Sequence, residues 1–224
     1  MESAFFPMML SLKVSLIATL FVIIIGCACA YILSQKTFRG MEIIDVLLTM
    51  PLVMPPTVTG YLLVVLLGTR GVVGRHLYDL SGYSIIFTWH AAVLCSFIVS
   101  LPFMVKTARA AFESVDRNLV LASYTMGYSE LGTFFRIVLP LARKGVLAGA
   151  ILSFARSMGE FGATLMLAGN IPGKTDTMPI AIYAHAAAGE WDRALDMVLL
   201  FTCISALFIY LANRLTRKQK WAWK

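Results

Sequence analysis

The sequence predicts an all-α polytopic membrane protein with five transmembrane helices. Three observations carry this: long apolar segments, a one-sided distribution of Lys and Arg, and helix-breaking residues confined to a few points within those segments. Of the 224 residues, 59% are hydrophobic and 14% charged, where soluble domains run nearer half and a quarter. A helix needs about 20 apolar residues to cross the hydrocarbon core. Segments 10–33, 43–67, 84–105, 145–168 and 195–213 meet that length.

The first segment has features of a cleaved leader, since Ala28-Cys29-Ala30 resembles a small-residue cleavage site. The residues before it, however, carry an acid and no base, and the apolar run exceeds an h-region. It reads as a genuine span. The second contains Pro51, Pro55 and Pro56. Each removes a backbone donor and kinks the helix, so the freed carbonyls must face protein or water. Thr57 and Thr59 place hydroxyls at the same level. Interrupted helices near mid-membrane are a mark of transport sites, although a structural kink accounts for any single proline.

Orientation follows from the bases. With the C-terminus inside, the inner segments hold Lys36, Arg39, six bases from Lys106 to Lys144 and five from Arg214 to Lys224, thirteen in all. The outer segments hold four: Arg70, Arg75, Lys174 and Arg193. Lys13 and Arg156 lie within spans. The predicted topology is N-terminus out and C-terminus in, and it accounts for much of the +7 net charge without nucleic acid. Trp221 and Trp223 in the basic tail suit a membrane interface.

Gly169 and Gly173-Lys174-Thr175 imitate a phosphate-binding loop. Only three residues separate the glycines where that loop has four, and the segment follows a membrane helix rather than a strand. It reads as an external turn built on Asn170, Pro172 and Gly173, with Pro179 opening a short helix beyond. Lys174 and Asn170 are candidates for contact at the outer face. Cys27, Cys29, Cys95 and Cys203 lie in apolar runs without metal-ligand spacing, and His76, His90 and His185 form no catalytic set. No cofactor, metal or catalytic residue is expected on this chain.

The inner loop 106–144 is too long for an ordinary turn. Its apolar spacing is helical up to a break at Gly127, and Ser129 opens a second short helix before Pro140. In the fourth span, Gly145, Gly149, Ser153 and Ser157 fall on one helical arc together with Arg156 and Glu160. Charges at this depth need partners or a wet cavity, and these two lie at i and i+4. Small residues four apart allow close backbone approach. Two readings stand: a subunit-interface helix that lines or braces an anion passage, or an ion pair that only locks packing.

LASYTMGYSELGTFFRIVLP, Leu121 to Pro140, resembles the cytoplasmic signature of ABC importer permeases. Ala122, Gly127, Ile137, Leu139 and Pro140 match in register, while Leu121 stands where the family has Glu and Ser123 where it has a second Ala. The resemblance implies that the element around Leu121, Ala122, Ser123, Tyr124, Gly127 and Ser129 is a coupling helix docking on an ATPase. DVLLTMPLVMPPTVTGYLLVVLLG and SFARSMGEFGATLMLAGNIPGKTDTMPIAIY extend the likeness across nearly the whole chain, toward permeases of molybdate importers. Sulfate and thiosulfate permeases have a looser version of the second stretch.

That resemblance implies a type I importer fold and a single permease domain over 1–224 in a bacterial cytoplasmic membrane. It also implies a homodimer in membrane lipid, two copies of a separate ATPase that bind the ATP and Mg, and an external or periplasmic oxyanion-binding protein. Molybdate, or the similar tungstate, would cross by alternating access, with Pro55, Pro56, Thr57, Thr59, Ser153, Arg156, Ser157 and Glu160 as pathway or interface residues. A stand-alone channel or secondary transporter would need no coupling element, and a membrane enzyme would need a catalytic set.

Overall fold

The computed structural model describes residues 2–35 and 39–216. Lys36 and the basic tail with Trp221 and Trp223 lie outside the described residues. Among the described residues, four helices are long and apolar enough to cross a membrane, and one bent pair makes a fifth crossing if it is counted as one span.

The first span is α1, Glu2–Gln35, longer at both ends than the apolar run alone predicts. The second is not a kinked helix but two helices, α2 (Met41–Val53) and α3 (Pro56–Leu67), at 119° to each other. The residue before a proline is pushed out of the helical region, and two successive prolines do this twice. Met54 and Pro55 are accordingly extended, with ψ of 138° and 136°. Pro56 then opens α3, where its missing N–H costs nothing.

Helix α4 (Val72–Ser81) follows and was not anticipated. It folds back so closely on the end of α3 that a Cβ on Gly74 would sit 2.1 Å from the Gly68 and Leu67 carbonyl oxygens. Only glycine fits there. Helix α5 (Trp89–Glu113) is N-capped by Thr88, whose hydroxyl accepts from Ala91 N at 3.3 Å. It is the most buried span and forms the centre of the molecule, packed on α1 and on α8.

Helix α6 (Arg117–Thr125) and the short α7 (Glu130–Thr133) occupy the inner loop. From α7 the chain runs without a break through a π-helical turn, Phe134–Val138, into α8 (Leu139–Met158). Pro140 has no N–H to offer the carbonyl four residues back, and Leu139 N bonds instead to Phe134 O, five residues back. The non-helical part of the 106–144 loop is therefore short. The fourth span starts at Glu130, not Gly145, and stops at Met158, not Ala168. A separate α9 (Gly162–Ala168) follows, then α10 (Met178–Ala187), with Pro179 in its first turn, and α11 (Trp191–Thr216).

The core is a layer of small residues between α1, α5 and α8. Ala18, Ala91, Ala92, Cys95 and Ala163 are fully buried in one cluster, and Val22, Met104, Phe112 and Val138 in another. A Cβ on Gly145 would meet Ala111 Cβ at 2.3 Å, and one on Gly149 would meet Met104 Sδ at 2.9 Å. The small-residue seam expected at a subunit interface is thus filled by α5 of the same chain. Helix α11, by contrast, exposes apolar side chains such as Leu195, Leu199, Leu207 and Leu211.

Candidate functional site

Two interrupted spans meet at their breaks. Met54–Pro55 separates α2 from α3, and Gly159–Phe161 separates α8 from α9. At the contact, a Cβ on Gly162 would lie 3.0 Å from Pro56 Cβ, and one on Gly60 would lie 2.8 Å from Ala163 Cα. The backbones of α3 and α9 touch because glycine stands at both positions. The Ala163 carbonyl also accepts from Cys95 Sγ at 3.3 Å, which ties α9 to α5.

Glu160 sits in the second break rather than inside a helix. Its Oε1 accepts from Ala163 N at 2.8 Å, capping an N–H that the first turn of α9 leaves without an intrahelical partner. Its Oε2 lies 2.8 Å from Arg156 Nη2, an approach outside hydrogen-bonding angles, so this oxygen has an ionic partner and no hydrogen bond. The exposure of the two side chains is unequal: 27% for Arg156 and 1% for Glu160. The carboxylate is fixed in the protein and the guanidinium reaches out of it. Ser11, Ser15, Ser96, Ser157, Thr164 and Thr177, with Val14 and Met158, line a small void together with Glu160.

Ser11 Oγ accepts from Met178 N at 2.7 Å, joining α1 to α10. Ser15, Ser157, Thr59 and Thr177 have hydroxyls that are buried and unpartnered. Ser153 donates to the Ser100 carbonyl at 3.2 Å and serves packing. Thr57 is exposed at the start of α3, whereas Thr59 is buried. The structure therefore brings Pro56, Thr57, Glu160 and Arg156 into one region and assigns Ser153 to the α5–α8 contact.

Between α5 and α8, α6 and α7 form a knob. Gly127 has φ of 84°, a left-handed turn that glycine adopts without strain. Asp116 caps α6 by accepting from Asn118 N at 2.9 Å, and Ser129 caps α7 by accepting from Gly132 N at 3.2 Å. Ser123 is fully buried, its hydroxyl 2.7 Å from that of Thr133, and this pair locks the two helices together. Beneath them Phe112, Phe134 and Tyr31 pack with ring centroids 4.5 to 5.9 Å apart. Leu121, Ala122, Tyr124, Gly127 and Ser129 face outward, with Met126 and Leu131 completing an apolar cap, while Ile137 and Leu139 are half-buried and Pro140 is exposed.

At the opposite end, the turn after α9 is held by Thr175, whose Oγ1 accepts from Ile171 N at 3.0 Å and donates to Gly169 O at 3.3 Å. Asn170, Gly173, Asp176, His185, Glu190 and Arg193 line an open cavity of about 540 Å³. Lys174 is exposed and does not line it. His185 Nδ1 lies 2.7 Å from Glu190 Oε2, and Arg193 Nη1 donates to the same oxygen at 3.0 Å. Both partners hold the Glu190 carboxyl below its ordinary value, His185 most strongly. Burial pushes Asp176 up.

Sequence reasoning missed two contacts. Asp45 on α2 accepts from Lys106 Nζ at 3.0 and 2.9 Å and lies 3.5 Å from Arg109 Nη1, tying α2 to α5. The acid and the bases are about sixty positions apart, so no spacing rule connects them. His90, which has no evident partner in the sequence, has its Nδ1 2.7 Å from the Tyr83 hydroxyl.

A bundle of apolar spans in which two broken helices meet, with a compact knob between α5 and α8, has the build of a membrane transport permease. The chain belongs to the family of binding-protein-dependent transport system inner membrane components, whose model matches residues 22–220. It is 47% identical to the molybdenum transport system permease protein ModB of Escherichia coli (strain K12), over 93% of this chain and 92% of that one. With the ModB protein of Haemophilus influenzae the identity is 39%, over 94% and 92%. In fold it is similar to a bacterial ABC transporter that imports the acidic polysaccharide alginate, with a TM-score of 0.78 at 15% identity, covering 98% of this chain and 81% of that one.

Proposed function

We propose that this chain is the membrane-spanning subunit of an ATP-driven molybdate importer, with tungstate as an alternative cargo of like charge and size. The observation that carries the reading is 47% identity to a molybdenum permease along almost the whole chain, the two broken helices included. The subunit works as a homodimer. Two copies of a separate ATPase bind ATP and Mg and dock on the exposed cap of α6 and α7 at Leu121, Ala122, Tyr124, Gly127 and Ser129. An external oxyanion-binding protein delivers the anion at the face that carries Asn170 and Lys174. The N-terminus is outside and the C-terminus cytoplasmic.

In this reading the chain performs no chemistry, and its residues supply positions. ATP-driven closure presses the α6–α7 knob, and the Ser123–Thr133 lock and the aromatic cluster beneath pass that displacement to α5 and α8. The movable parts are the breaks at Met54–Pro55 and Gly159–Phe161. Arg156 presents a guanidinium toward the passage while Glu160 holds its orientation, so the anion meets a charge already half-compensated and can leave again. The deciding measurement is uptake of labelled molybdate by vesicles containing permease, ATPase and binding protein. ATP-dependent uptake that excess tungstate blocks and excess sulfate does not is the expected result. Competition by sulfate at equal concentration would assign the chain to sulfate import.

A further inference from the structure

We infer that the groove between α1 and α5, running from Lys13 to the middle of α1, is a binding site for one anionic phospholipid. Its lower part is an apolar cavity of about 330 Å³ lined by Phe21 and Ile25 of α1, Val93, Leu94 and Phe97 of α5, and Ile85. Its only polar lining residue is His90, at the top. His90 stacks on Trp89, with ring centroids 3.8 Å apart, and Lys13 Nζ stands 3.7 Å from the centroid of the Trp89 ring. The Tyr83 hydroxyl holds the other edge of the imidazole. The sequence Lys13, Trp89, His90, cavity thus runs from a cation, through two amphipathic rings, into an acyl-sized hollow.

Depth supports a lipid rather than a soluble ligand. At 1.5 Å per residue α1 is about 51 Å long, against about 30 Å of hydrocarbon, and Lys13 lies about 16 Å from its first residue. For a helix centred in the bilayer, Lys13 is about 6 Å inside the hydrocarbon boundary, close enough for its ammonium to reach the headgroups. Trp and Tyr mark the same level, and Phe21 and Ile25 lie two and three turns deeper on α1. Lys13 forms no ion pair with a carboxylate among the described residues; its partner there is an aromatic face. A phosphodiester supplies the missing anion and the lipid's chain fills the hollow below. Which leaflet provides the lipid follows from the orientation proposed above, whereas the site itself does not depend on it.

The test uses the complete permease–ATPase complex, purified and stripped of lipid, with thermal unfolding followed while phosphatidylglycerol, phosphatidylcholine or inorganic phosphate is added. Phosphatidylglycerol should stabilise at about fivefold lower concentration than phosphatidylcholine, the difference one lysine makes near a headgroup. Lys13→Gln should remove that preference and leave the response to phosphatidylcholine, and Lys13→Arg should keep it. Leu94→Trp, which fills the hollow, should weaken both lipids. Equal responses to the two lipids in the parent would overturn the site, as would a preference that survives Lys13→Gln. Stabilisation by phosphate alone would make it a free-anion site instead. Native mass spectrometry of the parent and Leu94→Trp complexes gives an independent count of retained lipid, and an equal count in both would also overturn it.

Discussion

The α6–α7 knob and the junction of the two broken helices are both short, irregular and rich in hydroxyls, yet they are built in opposite ways. In the knob, the helix starts are capped, the one buried serine is paired and the aromatic floor is packed ring on ring. At the junction, the hydroxyls of Ser15, Ser157, Thr59 and Thr177 are buried without a partner, and one oxygen of Glu160 has only an ionic one. A satisfied polar network stiffens its surroundings, whereas unsatisfied buried groups raise the energy of the arrangement that holds them. A second arrangement that pairs those groups is correspondingly nearer in energy. The importer proposed above would use this division, with a stiff lever at the knob where the ATPase docks in that proposal and a junction able to re-pair along its passage.

The comparison is broken most severely at Glu160. Removing one member of a buried pair leaves the other uncompensated, at a cost of about 3–5 kcal/mol, and the lower end applies because Arg156 reaches out of the protein. Glu160→Gln should therefore lower the stability of the complex by about 3 kcal/mol and reduce uptake sharply. Replacing Arg156 with Gln as well should restore part of both. Chemical unfolding in detergent and vesicle uptake measure the two effects. Equal losses in the single and double variants would mean that the pair does not act as a unit.

How much of this was legible beforehand differs between the same two regions. The Arg156–Glu160 pair was readable from i, i+4 spacing, and the knob from Gly127, Ser129 and the register of Ala122 to Pro140. The break at Glu160 was not readable, because no proline marks it. It comes from a side chain turned onto the Ala163 N–H after α8 has ended, a competition between helix and cap that periodicity cannot see. The double proline at 55–56 announced a kink, but 119° is the result of α3 packing on α9 at Gly60 and Gly162, far along the chain. Helical arithmetic likewise found the arc of Gly145, Gly149 and Ser153 without revealing its neighbour. An arc has a direction, and only the fold decides whether α5 or a second subunit lies there.

A smaller effect tests the stiff half. Ser123→Ala takes away the partner of the buried Thr133 hydroxyl, a loss of about 1–2 kcal/mol. Because Ser123 lies beneath the proposed ATPase-docking surface rather than on it, ATP hydrolysis should persist while molybdate transported per ATP falls. Proteoliposomes in which phosphate release and uptake are measured together separate the two. A parallel fall in both would show that the hydroxyl pair supports docking and not transmission.

The smallest effect is expected at the outer face, where Glu190 links α10 to α11 through His185 and Arg193. The folded protein lowers the Glu190 pKa, so the link contributes above the ordinary glutamate value and is lost as pH falls through the lowered one. Solvent exposure and salt screening keep the contribution slight. Hydrogen exchange of the 187–191 backbone against pH, compared between the parent and Glu190→Gln, reads this directly. Protection relative to the intrinsic rate that is lost only in acid for the parent, beside protection unchanged with pH for Glu190→Gln, is the expected pair; two identical profiles would remove the link.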